Sequence, residues 1–248
     1  MRKFLSCLGF VIVAFCVVPA FADSMTDAQY MAAMAAMHHD DAPNASPVTV
    51  PAPAQLVSGG EVVYASVGGK PVKGYRVRPA AAKGPLPGII VIHEWWGLND
   101  NIRKTADRLA GEGYEALAVD LYGGQSATTP EDATQYMKAV MAHKDAAKDN
   151  LRQAYAYLHD REHATKLGVI GWCFGGGWSL QTALLFPEQL DAAVMYYGQP
   201  VTDVAQLKTL KMPLIGFFGE KDSGITVADV TSFQEALKQA GVDAEIHE

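Results

Sequence analysis

Gly171-Trp172-Cys173-Phe174-Gly175 is a short run whose residue types and spacing can do chemistry. A Gly-x-Cys-x-Gly string between a strand-like and a helix-like run is the nucleophile-elbow pattern, with cysteine where serine is usual. The turn is tight, so the residues two before and two after the nucleophile must be small. A helix following it aims amides and its positive end at the sulfur, which favours thiolate. The Phe174 amide is then set to stabilise an oxyanion. The competing reading is a buried structural thiol. Gly175-Gly176-Gly177 also invites comparison with a phosphate loop, but no Lys follows as that motif requires.

Such a turn needs a sheet behind it. Segments 62–67 and 72–78 alternate apolar and polar residues on either side of Gly68-Gly69, which predicts a β-hairpin. Segments 89–92, 116–121, 167–171, 192–197 and 214–218 are strand-like apolar runs, and Val242, Ala244 and Ile246 mark a last strand. Helical spacing appears at Ile102, Ala106, Leu109 and Ala110, and across 130–143, 145–163, 178–186 and 227–240. Strands alternating with helices predict an α/β domain, a doubly wound and mostly parallel sheet with helices on both faces. Ligands in such sheets sit beyond the carboxyl ends of the strands.

The start of the chain is a different object. Arg2 and Lys3 precede an apolar run at 4–18, and Ala20-Phe21-Ala22 places small residues where a signal peptidase reads. The run is about 15 residues, short of the roughly 20 that span a bilayer. Residues 1–22 are therefore expected to be a signal peptide, with a periplasmic or secreted product and no stable membrane insertion after cleavage. Cys7 and Cys16 leave with it, so Cys173 is the one cysteine retained, without a disulfide partner. Residues 23–60 read as an Ala/Met-rich helix, 25–37, and a Pro-rich linker, and 61–248 as the catalytic domain. Met31, Met34, Met37, His38 and His39 are soft metal ligands by type, but Met residues three apart read better as one apolar helix face, and no metal or organic cofactor is assigned. With 27 acidic against 20 basic residues, the net charge of −7 argues against nucleic acid as a partner.

Five ordered segments resemble the dienelactone hydrolases, a family of the α/β-hydrolase superfamily. They are the elbow Gly171-Trp172-Cys173-Phe174-Gly175-Gly176, His93-Glu94-Trp95-Trp96-Gly97-Leu98-Asn99, Asp120-Leu121-Tyr122, Tyr196-Tyr197-Gly198 and Gly219-Glu220-Lys221-Asp222. The resemblance runs from about Val62 to the last residue. It implies Cys173 as nucleophile, Glu94 as the acid facing the thiol, and Asp222 as the acid that orients a catalytic His. It also implies the amides of Trp95 and Phe174 as the oxyanion hole. Trp96, Tyr122 and Tyr197 are expected to wall a pocket for a small ester or lactone, with core packing as the rival role.

Two departures accompany the resemblance. Gly123 and Gly124 stand where the family's Arg grips a substrate carboxylate. The catalytic His, which in this fold follows the acid in chain order, has only His247 as a candidate, and His247 falls within the last strand rather than in the loop beyond it. The sequence thus reads as a C-terminally truncated hydrolase, with a catalytically silent binding module as the alternative and a thiol redox protein as a third, weakened by the lack of a resolving cysteine. The exported product is expected to begin at Asp23. Intact mass of the secreted fraction tests this, and retention of residues 1–22 would defeat it.

Overall fold

The computed structural model describes residues 26–44 and 51–248; the expected signal peptide lies outside them. The strands are β1 (Val57–Val67), β2 (Lys70–Pro79), β3 (Gly88–Ile92), β4 (Glu115–Val119), β5 (Leu167–Trp172), β6 (Ala192–Tyr196), β7 (Leu214–Phe217) and β8 (Ala244–His247). Among the described residues they form one eight-stranded sheet, in the order β1-β2-β4-β3-β5-β6-β7-β8. β1 and β2 make the expected antiparallel hairpin, β2 joins β4 antiparallel, and all the remaining pairs are parallel. β1 starts at Val57, inside the segment expected as linker. Ser58, Gly59 and Gly60 carry no strand signal, but their backbones pair with Arg78, Val77 and Arg76.

Helices cover both faces, because successive side chains of a strand point in opposite directions. α2 (Asp100–Gly111) begins where the Asn99 side chain accepts the Ile102 N–H. It buries Ile102, Ala106 and Ala110 with Val77, Ile89, Val91, Ala116 and Ala118. The alternate residues Ile90, Ile92, Leu117, Val119 and Val169 face the other way. There they meet α3 (Pro130–Ala142), α4 (Lys144–Ala156), α5 (Phe174–Leu185) and α7 (Val227–Ala240), with a single turn, α6 (Val204–Leu207), between. α4 runs into a π-helical turn at Tyr157–Arg161, so the helix expected over 145–163 changes its hydrogen bonding near its end. α5 starts at Phe174, not 178. Glycine is a poor helix former, so Gly175, Gly176 and Gly177 hide the first turn in the sequence.

The segment ahead of the domain is not merely a leader. α1 (Asp27–Met37) opens on a capping box between Thr26 and Gln29. It packs on α3, ion-pairs Asp27 with Lys144, and buries Tyr30 and Met34 in the main core. The apolar face expected through Met31, Met34 and Met37 is centred instead on Tyr30 and Met34, one turn apart, with Met31 only partly buried. Among the described residues no helix is long and apolar enough to cross a membrane.

Where β2 meets β4, the fully buried Glu115 is held by Arg76, whose Nε donates to Glu115 Oε1 at 2.5 Å, while Arg78 Nη1 lies 3.6 Å from Oε2. Removing one partner of a buried pair leaves an uncompensated charge. Arg76→Ala is expected to lower unfolding free energy by about 3 kcal/mol in urea titration; a loss below about 1 kcal/mol would show that Arg78 alone suffices.

Candidate functional site

Cys173 stands between β5 and α5 with φ 56° and ψ −120°. A residue with a Cβ tolerates this conformation only when its surroundings impose it, at a cost of about 1–3 kcal/mol. Here the Cys173 N–H donates to the Tyr196 carbonyl at 2.9 Å, and α5 begins immediately after. A Cβ on Gly171 would collide with the Gly175 carbonyl, and one on Gly175 with the carbonyls of Ile92 and His93. These close approaches press the helix start against the ends of β3 and β5 and leave the thiol projecting from the corner.

The backbone amides of Phe174 and Trp95 both reach the Cys173 sulfur. They favour the charged form, yet the thiol is pushed up to about 12, by burial first and by the Glu94 carboxylate second, with Asp222 adding to it. The thiolate expected from the helix end is therefore not the resting state. Two amides do not offset desolvation beside two acids. Glu94 is itself raised by burial, against a lowering hydrogen bond from Asn101.

The Trp95 amide is aimed by the residues before and beneath it. His93 is fully buried. Its Nε2 accepts the Leu121 N–H at 3.1 Å, so its Nδ1 carries the proton and donates to the Glu94 carbonyl at 2.6 Å. Burial lowers its pKa and keeps it neutral. The Tyr122 hydroxyl donates to the Trp95 carbonyl at 3.0 Å. Of the two roles open to Tyr122, pocket wall or packing, the second fits its burial: it braces the loop that holds Trp95 and is absent from the lining of the cavity in front of Cys173. Asp120 ties down the turn after β4, accepting from the amides of Tyr122 and Gly124.

Cys173, Glu94, Trp95, Trp96, Tyr197 and Asp222 all border one cavity of about 600 Å³. Asp222 Oδ1 accepts the amides of Gly224 at 2.8 Å and Ile225 at 3.0 Å, which fixes the loop after β7. His247 is not part of this cavity; its ring stacks on Phe217 and its Nε2 lies 2.9 Å from Glu245. Sequence reasoning missed Tyr30, Met34, Met37 and His38, which border the same cavity from α1 and its end. The Met spacing marked a packed helix but carried nothing about what it packs on. His38 lies 5.3 Å from the Trp95 ring, with Nδ1 2.6 Å from Asp41. Among the described residues, no group of three or more His, Cys, Asp or Glu side chains is arranged to hold a metal ion.

Residues 72–248 match the model of the dienelactone hydrolase family. The chain belongs to the dienelactone hydrolase family. It is 34% identical over 193 residues to Protein usf of Aquifex pyrophilus, covering 75% of this chain and 82% of that protein. A protein named as a carboxymethylenebutenolidase in Aquifex aeolicus is 32% identical with the same coverage. A solved structure described as a dienelactone hydrolase, from Klebsiella pneumoniae, superposes with a TM-score of 0.68 at 30% identity, covering 77% of this chain and 85% of that one. The fold is accordingly an α/β-hydrolase fold. Glu94, Cys173 and Asp222 fall inside the residues matched by the dienelactone hydrolase model, and α1 falls outside them.

A neutral resting thiol has a measurable consequence. Alkylation of Cys173 by iodoacetamide should keep rising about tenfold per pH unit beyond pH 9.0, the ordinary thiol value, instead of levelling there. Glu94→Gln removes the neighbouring negative charge, so it should speed alkylation at fixed pH. A plateau near neutral pH would mean that thiolate is the resting form.

Proposed function

We propose that the protein hydrolyses carboxylic esters or lactones, with Cys173 as nucleophile and Glu94 as the acceptor of its proton. The observation carrying this reading is the convergence of two backbone amides on a thiol held in a strained corner, with a buried carboxyl group beside it. As substrate enters, the S–H proton passes to Glu94 while sulfur bonds to the carbonyl carbon and the C=O electron pair moves onto oxygen. The amides of Trp95 and Phe174 hold that oxyanion. Return of the pair breaks the C–O bond, and the leaving alkoxide takes the proton from Glu94. Water then hydrolyses the thioester on Cys173, releasing the acid and restoring the thiol.

Asp222 is the acid that would orient a base for the water step. Among the described residues no imidazole pairs with it. A pocket in which no imidazole meets Asp222 would be acylated quickly and released slowly, which is the second outcome for the kinetics below. Gly123 and Gly124 supply no charge for an acidic substrate, which supports neutral esters as the preferred class; Lys221, which borders the cavity, is the group that would carry an acidic preference instead. The leader-like residues 1–22 support work in the periplasm or outside the cell.

Kinetics with p-nitrophenyl acetate test the reading. Cys173→Ala is expected to abolish acylation, and Glu94→Gln to lower kcat/KM by about 100-fold or more, the usual worth of a positioned proton acceptor. Neutral esters should be used at least as well as an acidic dienelactone. Unchanged turnover in Cys173→Ala would remove Cys173 from the mechanism. A single burst of p-nitrophenol without further release would identify the slow-release form.

A further inference from the structure

Tyr30 of α1 is buried, 3% exposed, and its hydroxyl has no hydrogen-bond partner of normal geometry among the described residues. Its polar surroundings are those of the candidate site: Cys173, Tyr122 and Asp222. The group that faces it is the Cys173 sulfur, which as a thiol is only a weak acceptor. Native structures rarely leave a buried donor without a partner, and an exception calls for a functional account. The side chain as a whole lies at a boundary, with the hydroxyl enclosed. Tyr30 borders the cavity of about 600 Å³ in front of Cys173 and a second one of about 480 Å³ that continues past Trp178 and Gln181.

The rest of α1 is built to hold Tyr30 there. Asp27 pairs with Lys144, Met34 packs in the core, and Met37 lies against Gly224 in the loop that carries Asp222. The helix therefore spans from the thiol to the Asp222 loop along one side of the cavity. It stands outside the residues that match the family model.

We infer that α1 is the cover of the substrate pocket and that Tyr30 is a substrate-contacting residue, its hydroxyl donating a hydrogen bond to an oxygen of a neutral ester or lactone held at Cys173. The inference rests on Cys173 being the nucleophile. It assigns to substrate the one polar atom on α1 that is enclosed, unpartnered and beside the reacting sulfur. It also gives selectivity a physical source. An electrophile with no oxygen to accept that bond gains nothing from Tyr30.

The test uses Tyr30→Phe, which keeps the ring and its packing. Acetylation of Cys173 by p-nitrophenyl acetate, followed by mass spectrometry, needs no turnover and is expected to slow about tenfold, the worth of one hydrogen bond. Methylation of Cys173 by methyl iodide, which carries no oxygen, should stay within about twofold of the parent. Tm should be unchanged or higher, because the variant removes an unpartnered buried hydroxyl. Acetylation within twofold of the parent would overturn the assignment. Equal slowing of acetylation and methylation would place the hydroxyl's effect on the sulfur and overturn it too. A lower Tm accompanying the slowed acetylation would make Tyr30 a packing residue only. No acetyl adduct on Cys173 in the parent would instead defeat the nucleophile reading on which this one stands.

Discussion

The turn at Cys173 forces a residue with a Cβ into φ 56°, ψ −120° at the corner where a buried parallel strand becomes a helix. Holding it there requires backbones to approach more closely than any side chain allows. Gly171 faces the Gly175 carbonyl, and Gly175 faces the carbonyls at the end of β3. Those contacts seat α5 on the ends of two adjacent strands, which in turn brings the loop after β3, with Glu94 and Trp95, within reach of the sulfur. The apolar cores on the two faces of the sheet supply the stability that offsets the local strain.

The same enclosure sets the electrostatics. Water-excluded surroundings strengthen the amide contacts to a developing oxyanion, but they also raise the thiol and Glu94, because each charged form loses solvation. The resting pair is therefore protonated sulfur beside a carboxyl group poised to change charge, and an arriving carbonyl supplies the place where negative charge can go. The site resembles a spring-loaded acid–base pair more than a standing thiolate. His93 and Tyr122 contribute by geometry: one bonds the Leu121 amide and the Glu94 carbonyl, the other the Trp95 carbonyl, so the oxyanion loop is braced from beneath by groups that never meet the cavity's centre.

Much was legible in the sequence because the relevant signals are local. The alternation of buried apolar runs with amphipathic helices specifies a doubly wound sheet, since each strand and helix must cover its own apolar surface. The elbow is legible because its steric demand falls on residues two positions away, Gly171 and Gly175. Phe174 follows from the elbow, while Glu94, Trp95 and Asp222 were singled out by the resemblance of their segments to the family, at strand ends where a parallel sheet gathers its loops. Acidic composition and the apolar start of the chain are likewise properties of the sequence alone.

Only tertiary structure decided what depends on distant neighbours. The Cys173 charge state turns on burial beside Glu94 and Asp222, which lie 79 residues before it and 49 after it in the chain. The sequence left Tyr122 open between a pocket wall and core packing; its hydroxyl is committed to Trp95, a partner set by the pairing of β3 with β4. β1 begins among serine and glycine residues because its register on β2, not its side chains, defines it. Tyr30 carried no signal beyond a place in an Ala/Met-rich helix, yet α1 folds back over the thiol and encloses its hydroxyl. A helix's periodicity says that one face will be buried; what that face is buried against is settled by the fold.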